Sequence, residues 1–198
     1  MLKSGVNDHT KIRKRTMAKN EGKIFEGIIK SNAPSYLKLT RIPDPPQSFT
    51  QRSDTRFSKK NPYDYEAFDS LHRIQYSLEL KTTSQKYLTY HTSKKDEDEK
   101  KSANIQWHQI EGLTKASEYD NCLSGFMFNF RLDNGEQLLY FMNIKDFNKY
   151  RKSTHKKSLN ILDISLNGGI KISGEKLIKN YRWNLDEFLK SQSGVYPL

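Results

Sequence analysis

The chain has 198 residues, 34% of them hydrophobic and 12% aromatic, with a formal net charge of +11 and one cysteine, Cys122. That length suffices for one domain with a proper core, here rich in Phe and Tyr. The single cysteine excludes an intrachain disulfide framework and fits a reducing, cytoplasmic compartment. No Cys/His zinc spacing, no G-x-S-x-G elbow and no Gly-rich phosphate loop occurs. No apolar run approaches membrane-spanning length, and the charged N-terminus is not a secretory signal. The excess positive charge points to a polyanionic partner, nucleic acid first. An anionic membrane surface competes, but no long amphipathic basic helix supports it.

Residues 1–19 read as a basic, disordered arm in which Lys3, Lys11, Arg13, Lys14, Arg15 and Lys19 face one acid, Asp8. Such an arm either lies along phosphates or merely solubilises. Residues 20–32 read as a helix capped by Asn20, with Ile24, Phe25, Ile28 and Ile29 on one face and Glu26 at its border. Residues 36–42 alternate as a strand. The segment 43–60 begins with Pro43, Pro45 and Pro46 and reads as extended and mobile. Within it Arg52, Arg56, Lys59 and Lys60 interleave with Phe49 and Phe57, a pattern suited to gripping a backbone and stacking on bases. An ordinary solvated loop is the plain alternative.

Residues 75–81 alternate strictly. Tyr76, Leu78 and Leu80 are apolar, while Gln75, Ser77, Glu79 and Lys81 are polar, so Glu79 and Lys81 share one face of a strand. A hairpin after Pro62 would bring Asp64 back beside Glu79. Two carboxylates and an ammonium at a strand end suit Mg²⁺ and phosphate chemistry. Glu-x-Lys is more often a weak solvated ion pair, and on the tripeptide alone that reading is preferred.

Beyond this strand, 84–103 with its self-cancelling KKDEDEKK run reads as a disordered loop. Residues 104–119 read as a helix capped by Asn104, with Gln109, Leu113 and Ala116 on one face. Gln109 is then either a satisfied buried amide or a group turned toward a site. His108 is expected to be structural or to contact nucleic acid rather than metal. Residues 123–131 and 137–144 form a hairpin around Asp133-Asn134-Gly135, expected at the sheet's centre. Residues 145–152 suggest a short basic helix. ILDISL and GIKIS are read as short strands around Asn167-Gly168-Gly169, and 184–190 as a final helix.

In order, these pieces are NEGKIFEGII, Asp64-Tyr65, Glu79-Leu80-Lys81 with Thr82-Thr83, and Ile105 to Leu113 with His108-Gln109. Over roughly 20–150 this order resembles the PD-(D/E)XK nuclease superfamily, and within it the RecU-type Holliday-junction resolvases. The resemblance implies an α/β fold with a mixed central β-sheet flanked by helices, a restriction-endonuclease-like core occupying 20–198 as a single domain. It implies that Asp64, Glu79 and the Leu80 carbonyl hold Mg²⁺, or Mn²⁺ in its place. Lys81 would position or activate the attacking water, Glu26 would complete the acidic cluster, and Gln109 would support it. The implied activity is symmetric, metal-dependent cutting of a four-way DNA junction by a homodimer in recombination and repair. Arg13, Lys14, Arg15, Arg52, Arg56, Lys59 and Lys60 are the expected DNA contacts. A sequence-specific restriction-type endonuclease and a non-catalytic DNA-binding module remain open. Tyr63 separates Pro62 from Asp64, so the pair that names the superfamily is not contiguous here.

Overall fold

The computed structural model describes residues 21–43, 60–178 and 180–194. The arm at 1–19, its Arg13, Lys14 and Arg15, and Arg52, Arg56 and Lys59 of the basic segment lie outside the described residues.

The first helix (α1) covers 21–32. It buries Phe25, Ile28 and Ile29, while Ile24, expected on the same face, is 42% exposed. Phe25, Ile28 and Ile29 form an i, i+3, i+4 stripe, and Ile24 falls at its edge.

Three antiparallel strands follow: β1 (Leu37–Arg41), β2 (Tyr65–Asp69) and β3 (Ile74–Thr83). Asp69 closes the β2–β3 turn. Its fully buried carboxylate accepts from the Leu71 and His72 amides, each at 2.9 Å, and meets His72 Nδ1 at 2.7 Å. This Asx-type turn fixes the register, with Tyr65 opposite Leu78.

The segment 84–103 is not a disordered loop. It contains β4 (Tyr87–Thr89) and a short helix, α2 (Lys94–Asp98). The charges that look self-cancelling in sequence are used locally. Asp96 accepts from the Thr92 amide at 3.0 Å, the Thr92 hydroxyl at 2.6 Å and Lys101 Nζ at 2.8 Å. These bonds hold its carboxyl well below the usual carboxylate range. Helix α3 (Trp107–Ala116) is capped by Gln106 rather than Asn104, whose side chain instead accepts from Thr89.

Strand β5 (Cys122–Arg131) runs parallel to β3, and β6 (Gln137–Asn143) returns antiparallel around Gly135, at φ 76°. Helix α4 (Ile144–Ser153), strand β7 (Ser158–Asn160, paired with β4) and α5 (Ile161–Leu166) follow. ILDISL is therefore a helix, not a strand. Its apolar spacing fits either period, and the capping box decides. Asn160 accepts from the Asp163 amide while Asp163 accepts from the Asn160 amide. The expected strand GIKIS appears as β8 (Ile170–Ile172). The chain ends in the small β9–β10 pair (Gly174–Lys176, Tyr181–Trp183) and α6 (Leu185–Ser193).

The main sheet has six strands in the order β1-β2-β3-β5-β6-β8. Its middle lies between β3 and β5, one place over from the β5–β6 hairpin. Apolar clusters cover both faces. On one, Phe25, Ile28 and Ile29 of α1 and Phe188 and Leu189 of α6 pack on Leu78, Leu80 and Met127. On the other, Ile110 and Leu113 of α3 and Phe147 of α4 pack on Phe126 and Phe128. Because β5 is covered on both faces, nearly all of it is buried and it does not alternate in polarity. Among the described residues no helix is long and apolar enough to cross a membrane.

One close approach ties α3 to the chain entering β2. A Cβ on Gly112 would lie 2.3 Å from Pro62 Cβ and 2.8 Å from the Pro62 carbonyl oxygen. Gly112→Ala must therefore push two backbones apart. We expect it to cost about 1–3 kcal/mol, the usual range for overpacking, read as a lower urea midpoint with an unchanged slope.

Candidate functional site

The register that pairs Tyr65 with Leu78 sets Asp64 at the level of Glu79. Pairing of β2 with β3 changes character here. The Asp64 amide donates to the Leu78 carbonyl at 3.1 Å, while the Asp64 carbonyl accepts from Ile42 at 2.8 Å. The Leu80 amide is met by Asp64 Oδ2 at 2.9 Å. The carboxylate thus takes a place in the ladder and is fixed at the seam between the two strands.

Glu79 is 2% exposed. Its β5 neighbour is Phe126, and α3 lies over the same face. Glu79 Oε1 accepts from Lys81 Nζ at 2.9 Å and from Gln109 Nε2 at 2.5 Å. The Gln109 amide cannot flip, because its own oxygen accepts the Gln106 amide at 2.9 Å in the α3 capping box. Helix capping therefore aims the Gln109 NH₂ group at Glu79. Gln109 is half-buried rather than buried, with its oxygen and its NH₂ group both hydrogen-bonded, the latter to Glu79.

Burial acts most strongly on both acids. It pushes the Glu79 carboxyl up to about 7, with Asp64 adding to the rise and Lys81 opposing it. Burial also raises Asp64, with Glu26 adding and the Leu80 amide, Lys81 and Arg41 opposing. The pair is therefore short of positive charge.

Glu26 stands beside this pair rather than in it. Its Oε2 accepts from Arg41 Nε at 3.1 Å and from the Tyr65 hydroxyl at 3.2 Å. Arg41 and Tyr65 face each other in the β1–β2 ladder, so register brings both to Glu26. Sequence gives neither a role at the site; Arg41 lies within the alternating stretch 36–42, and Tyr65 enters only as the residue after Asp64.

His108 and Lys60 have a shared partner. Glu97 of α2 accepts from the His108 amide at 2.8 Å, meets His108 Nδ1 at 2.6 Å and pairs with Lys60 at 2.5 Å. Burial pushes Glu97 upward, but the bonds from Lys60 and His108 outweigh it and hold the carboxyl at about 2. Lys60, expected as a DNA contact, is thus engaged with an acid of the same chain. Glu97 ties the stretch leading to Asp64 to the helix bearing Gln109. No sequence pattern marks it, since its partners lie 11 and 37 residues away. Cys122 is buried among Ser77 and Ser124, a packed thiol.

Among the described residues no group of three or more His, Cys, Asp or Glu is arranged to hold a metal ion. What the fold assembles is a two-carboxylate set: Asp64 directly before β2 and Glu79 in the neighbouring β3, with Lys81 and Gln109 around Glu79. Fold and site together define a mixed α/β protein, its central mixed sheet flanked by helices, with Lys81 and a buried Glu79 on β3 and a half-buried Asp64 directly before the adjacent β2.

No protein-family profile matches the chain. It is 31% identical over 198 residues to the SPbeta prophage-derived uncharacterized protein YotM of Bacillus subtilis (strain 168), a match covering 91% of this chain and 93% of that protein. The chain belongs to the same family as YotM.

Burial of Glu79 links folding to pH. A carboxyl titrating at about 7 when folded and at about 4.5 when unfolded binds more protons in the folded state between those values. Stability contributed by its protonation is complete below about 4.5 and is lost as pH rises to about 7. In chelator, urea midpoints of the wild type should fall across this window. Glu79→Gln should flatten that fall. Equal slopes for both proteins would place the titration elsewhere.

Proposed function

We propose that this protein is a divalent-metal-dependent DNA endonuclease of the restriction-endonuclease-like type, acting on branched DNA. The observation that carries the reading is the constellation of Asp64, at the entry to β2, with Glu79 and Lys81 on the paired β3, Glu79 being buried. A solvated surface pair is the ordinary fate of Glu-x-Lys, but Glu79 is 2% exposed. Burying a carboxylate is costly without compensating structure, and such perturbed acids concentrate at functional sites. The element order supports the same reading. A helix with Glu26, then Asp64, the Glu79-Leu80-Lys81 strand, a helix with His108-Gln109 and a strand pair follow one another in the order of the resemblance. The prophage origin of YotM is in keeping with a role in phage DNA metabolism.

The donor set fits a hard cation. Asp64 and Glu79 supply carboxylate oxygens, and the Leu80 carbonyl is the third candidate ligand. When bound, Mg²⁺, or Mn²⁺ in its place, would polarise a phosphoryl oxygen and acidify water. The chain's own groups do the rest. Gln109 and Lys81 hold Glu79 in one rotamer. Lys81, as an ammonium, orients water and stabilises negative charge growing on the phosphoryl oxygens. Glu26, anchored by Arg41 and Tyr65, sets the field at Asp64. Water adds to phosphorus and the P–O3′ bond breaks, leaving a 3′-hydroxyl and a 5′-phosphate. A homodimer would present two such sites to opposed strands of a four-way junction.

Cleavage of a labelled four-way junction, with linear duplex of matched sequence as control, tests this. Paired symmetric nicks with Mg²⁺, abolished by EDTA and reduced at least 100-fold in Glu79→Ala and Lys81→Ala, are expected. Equal cutting of both substrates would keep the nuclease and remove the preference for branched DNA. Binding without cutting in any divalent metal would leave a non-catalytic DNA-binding protein.

A further inference from the structure

Helix α4 carries its lysines on one face. Lys145, Lys149 and Lys152 lie within an arc of about 60° and rise about 10 Å along the axis at 3.6 residues per turn. All three are exposed, while Ile144, Phe147 and Tyr150 are buried against the core. Beyond the helix, Lys156 and Lys157 extend the positive surface, so that 145–157 holds six cations, Arg151 included, against one acid. That acid, Asp146, is half-buried and packed against the turn at Gly168, where an added Cβ would lie 2.8 Å from its carboxylate.

Three of the other helices pair a lysine with an acid one turn away. α2 pairs Lys95 with Glu99, α3 pairs Lys115 with Glu111, and α6 pairs Lys190 with Asp186, each at i, i+4. In α4 the i, i+4 pair is Lys145 with Lys149, like charges that weaken an isolated helix. Lys156 pairs with Asp163. Among the described residues no acid lies within 4 Å of Lys145, Lys149, Lys152 or Lys157. A merely solvated face would gain from the acids that its neighbours carry.

This face is rigidly joined to the acid cluster. The Arg151 guanidinium lies 4.9 Å from the centre of the Trp107 ring and donates to the Thr92 carbonyl at 3.4 Å. Asn148 donates to Thr114 of α3 at 2.9 Å and accepts from Arg151 at 2.7 Å. α4 is thereby locked alongside the helix whose Gln109 holds Glu79.

We propose that the Lys145–Lys149–Lys152 face of α4 binds the sugar–phosphate backbone of a DNA arm flanking the reacting strand. A strand carries one phosphate per roughly 3.4 Å of duplex axis, so a stripe about 10 Å long serves about three phosphates. The choice of DNA over other polyanions rests on the nuclease reading, but the binding test does not require cutting. Labelled junction and duplex DNA are titrated in EDTA over a range of salt concentrations. The triple variant Lys145→Gln, Lys149→Gln, Lys152→Gln should lower the slope of log K against log[salt] by about 2–3, near 0.9 per lost contact. A control of equal charge, Lys30→Gln, Lys38→Gln, Lys190→Gln, should keep the wild-type slope. Thermal melts confirm that both variants fold.

An unchanged slope in the α4 variant, an equal fall in the control, or no DNA binding by wild type overturns the proposal. So does loss of phosphatidylserine-vesicle binding with DNA binding intact, which would make α4 a membrane-facing surface. A lowered slope in a protein that never cuts DNA would sustain the α4 surface and end the nuclease reading. Metal-dependent cutting with an unchanged slope would do the reverse.

Discussion

Everything at the site depends on one carboxylate taken out of water. Glu79 sits in mid-sheet beside Phe126 and beneath α3, where an unpartnered charge would be untenable. Lys81 and Gln109 supply the donors that make it tolerable. Each has a different origin: Lys81 comes with the strand's two-residue period, whereas Gln109 comes from a separate helix aimed by its capping box. The sheet cannot place Glu79 without α3, and α3 is placed in turn by Glu97 and by the Gly112–Pro62 contact. The acid, its supports and the supports' anchors form one chain of dependence.

Burial sets the direction of the chemistry as well. With two carboxylates raised by desolvation and Lys81 paired with Glu79, the site lacks positive charge. Such a deficit favours either a proton or a cation. A proton would satisfy Glu79 at low pH. At neutral pH a hard divalent ion would relieve both acids at once, and this is the physical reason for preferring a metal site to a structural ion pair. Glu26 does not share the deficit, because Arg41 and Tyr65 already engage it. Its effect on Asp64 is that of a nearby charge.

The alternation of 75–81 was sufficient to put Glu79 and Lys81 on one face, and the hairpin expected after Pro62 brought Asp64 beside Glu79, although nothing in the sequence marked Asp69 as the residue that closes the turn. The same alternation suggested a polar, solvated face for Glu79, and there it misled. Period-two patterning reports which residues share a face, not whether a helix covers it. ILDISL failed for a related reason: Ile161, Leu162, Ile164 and Leu166 satisfy both periods, and only the Asn160–Asp163 box separates them. The acidic run near Lys94–Lys101 was illegible because its order comes from Thr92, Lys60 and His108, none of which its own composition announces.

The distribution of charge separates two kinds of electrostatic work. Where acids and lysines alternate at helical spacing, as in α2, α3 and α6, the charges neutralise one another and the surface carries no information. At Glu79 and on α4 the balance is broken in opposite senses, an excess of buried acid in one place and of exposed cation in the other. Both imbalances flank α3, one under its first turn and the other along α4 at its side. A polyanion that brings its own divalent ion would relieve both at once, its phosphates meeting the lysines and its ion the carboxylates. A structural explanation would have to account for each imbalance separately, and for their meeting on the same helix.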